Sequence, residues 1–418
     1  MTMRVRAAIN PLMLGWARTQ AGFSLEEAVH RLRHDIKATP ERLKIWETPG
    51  GSEGPSIAQV EHLAHLYDRP AGMFYLSAIP EEPPLPADFR IGSDAGDGYS
   101  PELRRAARRI MTLRDYALGM AEDLDELEDR FPEFPFQATL GDNPETVAAH
   151  AREWLGVTWE TQCSWRDLDG ALSGWRAALE RSGVLVFMSV GEVPVTEMRG
   201  FCLIHERAPA IVVNNYDRKS ARVFTVFHEL GHIILRKDAL CRDLDGDEHS
   251  SAVVPKTEAW CNRFAGAFLV PEGYLNQLPD RRGLVAAVTE QAKDPYGADR
   301  FVRSVAKGFS VSPEVLVRRL AVTRAITTAS YLTWRSGYYL RNPEAKKPVP
   351  TNGKRTGPPP EIMMPYRFGS KFTTLTLSAY WNDRLTLRDL CDVFRTKVET
   401  VQRVENAMKL ELMGLAHA

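Results

Sequence analysis

Within the stretch Arg222-Val-Phe-Thr-Val-Phe-His-Glu-Leu-Gly-His-Ile-Ile-Leu235, His228, Glu229 and His232 stand in the order H-E-x-x-H. Their neighbours are apolar, so the stretch reads as a buried helix, and residues four apart on a helix share one face. Both imidazoles can then grip one metal ion. Glu229 points to the other side of that ion, where it can deprotonate a water. This is the layout of a zinc hydrolase, with Zn2+ as the expected cofactor. Phe224, Phe227, Ile233, Ile234 and Leu235 would bury the helix and leave the imidazoles on its one polar seam.

Catalytic zinc sites take three protein ligands, so one more is required. The downstream candidates are Asp238, Asp243, Asp245, Asp247, Glu248, His249 and Glu258. A ligand soon after the helix needs a sharp turn, yet the position where a glycine would serve is Leu235. Glu258 fits better, because residues 257–271 read as a second amphipathic helix with Trp260, Phe264, Ala267 and Phe268 on its apolar side. Glu258 and Asn262, one turn apart, then face the first helix.

The run Gly200-Phe201, Pro209-Ala-Ile-Val-Val-Asn214, Phe224-Thr225, His228-Glu-Leu-Gly-His232, Glu258, Asn262-Arg-Phe-Ala265 and Leu269-Val-Pro271 resembles the ImmA/IrrE metallopeptidases. These are bacterial and phage proteins with a compact zincin-like fold. The resemblance covers about residues 165–330. It implies zinc held by His228, His232 and Glu258, with Glu229 as general base. It also implies a protein substrate, since characterised members cleave a DNA-binding repressor and switch on the genes it silenced. In zincins the sheet edge beside the site receives the substrate as an added strand, which favours extended polypeptide. Tyr216, His205 and His249 are the candidates for stabilising an oxyanion.

Several elements must position these residues. Short strands are predicted over 183–188, 200–204 and 210–214, and helices over 143–155 and 166–182. A turn and helix over 306–320 completes the core. The fold class is α+β, mostly α, with a peptidase domain over 165–330.

Residues 1–80 read as a separate helical unit. A helix over 11–21 is stopped by Gly22, and Ser24-Leu-Glu-Glu27 is a capping box for the next. Thr39 is the N-cap of a third helix with Pro40 in its first position, and a fourth starts near Pro55-Ser56. Ser24-Leu-Glu-Glu-Ala28, Trp46-Glu47, Pro55-Ser56 and Leu63-Ala64 resemble the Xre-type helix-turn-helix family of phage repressors. The chain departs from that pattern in a longer 47–55 segment and in the 33–38 link. The resemblance implies duplex DNA as a partner, with the third helix in the major groove and Thr39, Glu41, Arg42 and Lys44 near it. Arg31, Arg33, Lys37, Arg42 and Lys44 against Asp35 and Glu41 leave a local excess of three positive charges (5 − 2), a modest phosphate footprint. A protein-docking module without DNA contact is the rival reading.

Residues 81–164 form a linker and helical connector, beginning with the stiff stretch Pro80-Glu-Glu-Pro-Pro-Leu-Pro86. The Asp88-Phe-Arg90 piece recurs where this helix-turn-helix is fused to an ImmA/IrrE domain. Residues 101–129 read as one charged helix, whose Arg104, Arg105, Arg108 and Arg109 could touch phosphates. Residues 331–365 hold a helix end and a proline-rich linker, with seven prolines between 341 and 365. The C-terminal helical region, 366–418, carries a helix pair over 385–394 and 398–408. That pair hints at a second helix-turn-helix, and is read first as a partner-binding or dimerising piece, so a homodimer is among the expected assemblies.

With 418 residues, 44% apolar, and 53 basic against 54 acidic side chains, the chain has material for ordinary cores and no global pull toward nucleic acid. Its five cysteines are scattered without C-x-x-C spacing and read as reduced thiols. No apolar run reaches the roughly 20 residues of a membrane span, so the expected location is cytoplasmic, without a membrane partner. The sequence thus points to a zinc-dependent endopeptidase with a DNA-binding module, cleaving a transcriptional repressor or related regulator in a phage or stress circuit. The alternative is a non-proteolytic Xre-type regulator whose zincin-like domain is a sensor. Glu229 favours the enzyme, because ligation alone does not need it.

Overall fold

The computed structural model describes residues 6–80, 100–165, 167–189, 193–236, 239–241, 255–346 and 358–412. Outside the described residues lie the Asp88-Phe-Arg90 piece, the candidate ligands Asp238, Asp243, Asp245, Asp247, Glu248 and His249, and the 347–357 part of the expected 331–365 linker. The chain divides into two compact units, Met1–Arg109 and Ile110–Ala418.

The first unit is built on α1 (Pro11–Ala21), α2 (Leu25–Leu32), α3 (Pro40–Trp46) and α4 (Ile57–Tyr67). Local chemistry sets each boundary. Asn10 caps α1, and Gly22 ends it in the left-handed region at φ 85°. Reciprocal capping boxes, Ser24 with Glu27 and Ser56 with Gln59, open α2 and α4. Leu14, Leu43, Trp46, Leu63 and Phe74 are buried between the helices. Arg18 forks onto Glu47, with Nε–Oε1 at 2.8 Å and Nη2–Oε2 at 2.9 Å, and so ties α1 to the end of α3.

The predicted 101–129 helix is broken in two. α5 (Pro101–Asp123) stops before Asp125, which adopts φ 57°, and α6 (Leu127–Arg130) follows. Asp tolerates the left-handed region because its short side chain can bond locally. Next come α7 (Pro144–Leu155), α8 (Trp159–Ser164) and α9 (Leu168–Arg181). The sheet contains β1 (Leu185–Ser189), β2 (Gly200–Leu203), β3 (Ala210–Asn214) and β4 (Ala239–Cys241), in the order β1-β3-β2-β4. β1 runs parallel to β3, while β2 is antiparallel to both β3 and β4. Every residue of β2 and β3 is buried, which is why both read as unbroken apolar runs without alternation. The fourth strand was not expected, since three residues carry no period-2 pattern.

The long helix α10 (Lys219–Ile234) lies on β2 and β3 and runs into β4. Beyond it are α11 (Lys256–Leu269), α12 (Glu272–Asn276), α13 (Arg281–Thr289), α14 (Pro295–Gly308), α15 (Pro313–Val322) and α16 (Thr328–Arg341). The C-terminal part holds α17 (Pro360–Phe368), α18 (Ser370–Trp381), α19 (Leu387–Phe394) and α20 (Val398–Leu412). Helix therefore begins inside the stretch assigned to the proline-rich connector. Pro360 sits in the first turn of α17, where its missing N–H costs nothing. The architecture is α+β, mostly α, and no helix among the described residues is long and apolar enough to cross a membrane.

Candidate metal centre

Two helices make the site. From Arg222 to Ile234 every residue of α10 is buried, so the helix is held by packing on all sides. Phe227 stacks on Phe268 of α11 with centroids 4.0 Å apart, and Trp175 of α9 meets both rings edge-on at 4.9 and 5.3 Å. The backbones approach closely at Gly231, where a Cβ would lie 3.3 Å from the Cα, Cβ and Sγ of Cys261. The far end of α11 is pinned by neighbours that satisfy its last carbonyls. Arg152 donates to Phe268 O (2.8 Å), Gln162 to Leu269 O (3.0 Å) and Arg319 to Val270 O (3.0 Å).

This crossing brings His228, His232 and Glu258 together. The Nε2 atoms of the two histidines are 3.1 Å apart. Glu258 spans both, with Oε2 3.1 Å from His228 Nε2 and Oε1 3.2 Å from His232 Nε2. Four atoms, two imidazole nitrogens and the two Glu258 oxygens, are thus linked by contacts of 3.1–3.2 Å. Tetrahedral zinc with bonds of about 2.0–2.1 Å needs ligand separations of roughly 3.3–3.4 Å, so these separations suit such an ion. The donor set, two imidazoles and a carboxylate, is also that of a catalytic zinc site.

Asn262 completes the arrangement. Its Oδ1 is 3.0 Å from His228 Nδ1, and an amide oxygen can only accept, so Nδ1 carries a proton and Nε2 is the atom that would offer a lone pair to a bound metal. For Glu258, burial raises the carboxyl pKa, but hydrogen bonds and charge from His228 and His232 outweigh it and hold the group well below the usual carboxylate range.

Glu229 is fully buried, next to the start of β2. A Cβ on Gly200 would fall 3.2 Å from Glu229 Oε1, 2.4 Å from Thr225 Cγ2 and 2.9 Å from Val212 O. Only glycine lets the strand backbone lie this close to the carboxylate. In the sequence Gly200 belongs to a motif and has no role of its own. A glycine opening an otherwise bulky, buried strand is the signal that points to close approach.

His205 follows the far end of β2, roughly 15 Å along the chain from Gly200 at strand spacing. Its Nδ1 accepts from the Arg207 and Ala208 backbone N–H groups, and burial lowers its pKa, with Arg114 adding to the effect. Tyr216 is exposed in the turn before α10, and His249 lies outside the described residues.

The residues predicted to meet DNA are in the other unit. Thr39 caps α3 by accepting from the Arg42 N–H. Arg42 is engaged within the unit: Nε and Nη2 lie 2.8 and 3.0 Å from the two Glu53 oxygens, Nη1 donates to Lys37 O, and the guanidinium lies over Trp46. Lys44 is exposed. Among the connector arginines, Arg105 donates to Leu66 O and Arg108 to Gln20 O.

No curated protein and no solved structure matches the chain. One protein-family comparison succeeds, and it falls on the segment that carries the sheet, α10 and α11. Residues 179–321 match the Peptidase_M78 family, the IrrE N-terminal-like domain, which is a metallopeptidase family.

Proposed function

We propose that this chain is a zinc-dependent endopeptidase, with residues 165–330 as its catalytic domain, that cleaves a DNA-binding repressor or related regulator. The observation that carries the reading is the His228, His232, Glu258 cluster beside the buried carboxylate of Glu229. His228, His232 and Glu258 would hold the zinc, and Asn262 would fix the His228 tautomer. Bound there, zinc polarises a peptide carbonyl and eases the loss of a proton from water. Glu229 takes that proton and returns it to the leaving amine, and its burial keeps bulk water from competing for it. β4 is an outer strand of the sheet among the described residues, and a strand edge in that place suits an extended segment added by backbone hydrogen bonds. Residues 1–80 would bring the enzyme to duplex DNA and raise its effective concentration near a substrate bound there.

Metal analysis and cleavage assays on the same preparations test this. The wild type should hold about one zinc, His228→Ala with His232→Ala none, and Glu229→Gln the wild-type amount with cleavage reduced by about 10²–10⁴-fold. Full zinc content in the double histidine variant would defeat the metal assignment. Unchanged cleavage by Glu229→Gln would remove the base. A zinc-replete wild type that cleaves no regulator would favour the sensor reading.

A further inference from the structure

The C-terminal helices contain a tighter helix-turn-helix than the N-terminal unit does. α19 opens with a reciprocal capping box between Thr386 and Asp389. It ends at Arg395, in the left-handed region at φ 48°, where the Arg395 N–H bonds to Asp392 O and the Thr396 N–H to Cys391 O. That double bond pattern closes a helix and turns the chain sharply. Only residues 395–397 separate α19 from α20, against 33–39 between α2 and α3. A helix-turn-helix needs a turn of about three or four residues, and the C-terminal pair meets that requirement. Its second helix is also the longer, 15 residues against 7 for α3.

The pair has its own core. Leu390, Phe394, Val401 and Val404 are buried, and Phe394 packs its ring against Phe368 and Phe372 at 5.2 and 6.4 Å. With one face of α20 fixed inward, the other presents Glu399, Gln402, Arg403 and Asn406 to solvent. Amides and a guanidinium are the groups that pair with adenine and guanine edges in the major groove. A protein-docking helix would show aromatic or aliphatic anchors there, but between residues 398 and 409 Val398 is the sole large apolar side chain exposed on α20. Charge points the same way. Between residues 382 and 409 the exposed basic side chains are Arg384, Arg388, Arg395, Lys397, Arg403 and Lys409, and the exposed acidic ones are Asp383, Asp392 and Glu399. Lys409 is paired with Glu405, which also accepts from Trp381 Nε1, and Asp389 is used for the cap; with these left out the excess is two (5 − 3).

We propose that α19 and α20 are a DNA reader, with α20 lying in the major groove of duplex DNA and Gln402, Arg403 and Asn406 contacting base edges. Arg388 and Lys397 contact phosphates on either side. The reader is joined firmly to the peptidase body. Glu180 of α9 accepts from the Lys371 N–H (3.0 Å), Lys371 Nζ donates to Glu180 O (2.7 Å), and Arg176 donates to Tyr366 O. Gly369 passes so close to Glu180 that a Cβ would fall 2.4 Å from Oε1. DNA held by α20 would therefore have a fixed position relative to the metal helices. The inference does not depend on whether residues 1–80 bind DNA or whether the metal site is catalytic.

The test uses the full chain and duplexes it enriches from a randomised pool. Arg403→Ala with Asn406→Ala should weaken the enriched duplex by about tenfold or more. Lys397→Ala should lower the slope of log K against log salt by about 0.9. All substituted side chains are exposed, so thermal unfolding should match the wild type. No enriched duplex, or an Arg403, Asn406 variant that binds as the wild type does, would overturn the proposal. Loss of binding by Lys44→Ala alone would place all DNA contact in the N-terminal unit, and a change in oligomeric mass without a change in DNA affinity would assign α20 to protein contact. Both results overturn it as well.

Discussion

His228 Nδ1 lies 3.0 Å from Oδ1 of Asn262, four residues beyond Glu258 on the facing helix. One helix thus supplies both a candidate ligand and the group that aims another ligand. Asn262→Leu keeps the volume near constant and removes the acceptor. Zinc affinity should fall by about 10- to 100-fold, the usual cost of losing such a partner. Chelator competition measures it, and an unchanged dissociation constant would show that packing alone orients the imidazole.

Gly200→Ala tests the approach of β2 to Glu229. The new methyl would sit 2.4 Å from Thr225 Cγ2 and 2.9 Å from Val212 O, so strand or helix must shift. Overpacking of this kind costs about 1–3 kcal/mol. Because Glu229 is among the displaced neighbours, cleavage should drop more than that destabilisation explains. Denaturant melts and cleavage rates on one preparation make the comparison.

Much of this site could be read from the sequence, for a physical reason. His228, Glu229, His232, Glu258 and Asn262 are joined by helical spacing within two segments, and a helix converts spacing into direction without reference to the rest of the fold. Gly200 beside Glu229 depends on sheet register and on how α10 crosses β2, which no local pattern encodes. Arg42 counts as a free positive charge in the sequence until the fold brings Glu53 to it. The start of α17 was hidden because proline reads as a breaker, although it is tolerated in a first helical turn. β4 was too short to show a period.

Lys371 should make stability depend on alkaline pH. Burial lowers its pKa from the ordinary 10.5 to about 8, with Arg130 adding to the effect and Glu180 opposing it. Between about pH 8 and 10.5 the unfolded chain binds the proton more tightly, so stability contributed by this group rises with pH across that window. Lys371→Met should lack the rise. The difference between wild-type and variant unfolding free energies at pH 7.5 and 10 (about the window's two ends) isolates it from tyrosines that titrate nearby. A constant difference would mean that Lys371 keeps its proton in the fold.

For the N-terminal unit, the exposed Lys44 and the engaged Arg42 should behave differently. Lys44→Ala should lower the salt slope of duplex binding by about 0.9 and leave stability unchanged. Arg42→Ala breaks a partly exposed pair with Glu53, worth less than about 1 kcal/mol, and should act on stability before it acts on DNA. Gel shifts at two salt concentrations, with melts of the same variants, separate the effects. Equal slopes for wild type and Lys44→Ala would leave residues 1–80 as a protein-docking module.

β1 is the outer strand opposite β4, and α17 packs along it, with Phe187 of β1 meeting Phe372 of α18 at 5.7 Å. The cover for this strand comes from far downstream in the chain, after the peptidase helices and the linker. During synthesis the sheet can therefore form around β3 while the outer side of β1 is met only by α9, whose Arg176 donates to Val186 O, and for that interval the newly made chain carries a partly covered strand edge able to pair with another nascent copy. The outer side of β1 is completed by helices made after residues 347–357, so slower translation through that segment should lengthen the time each molecule spends in the exposed form.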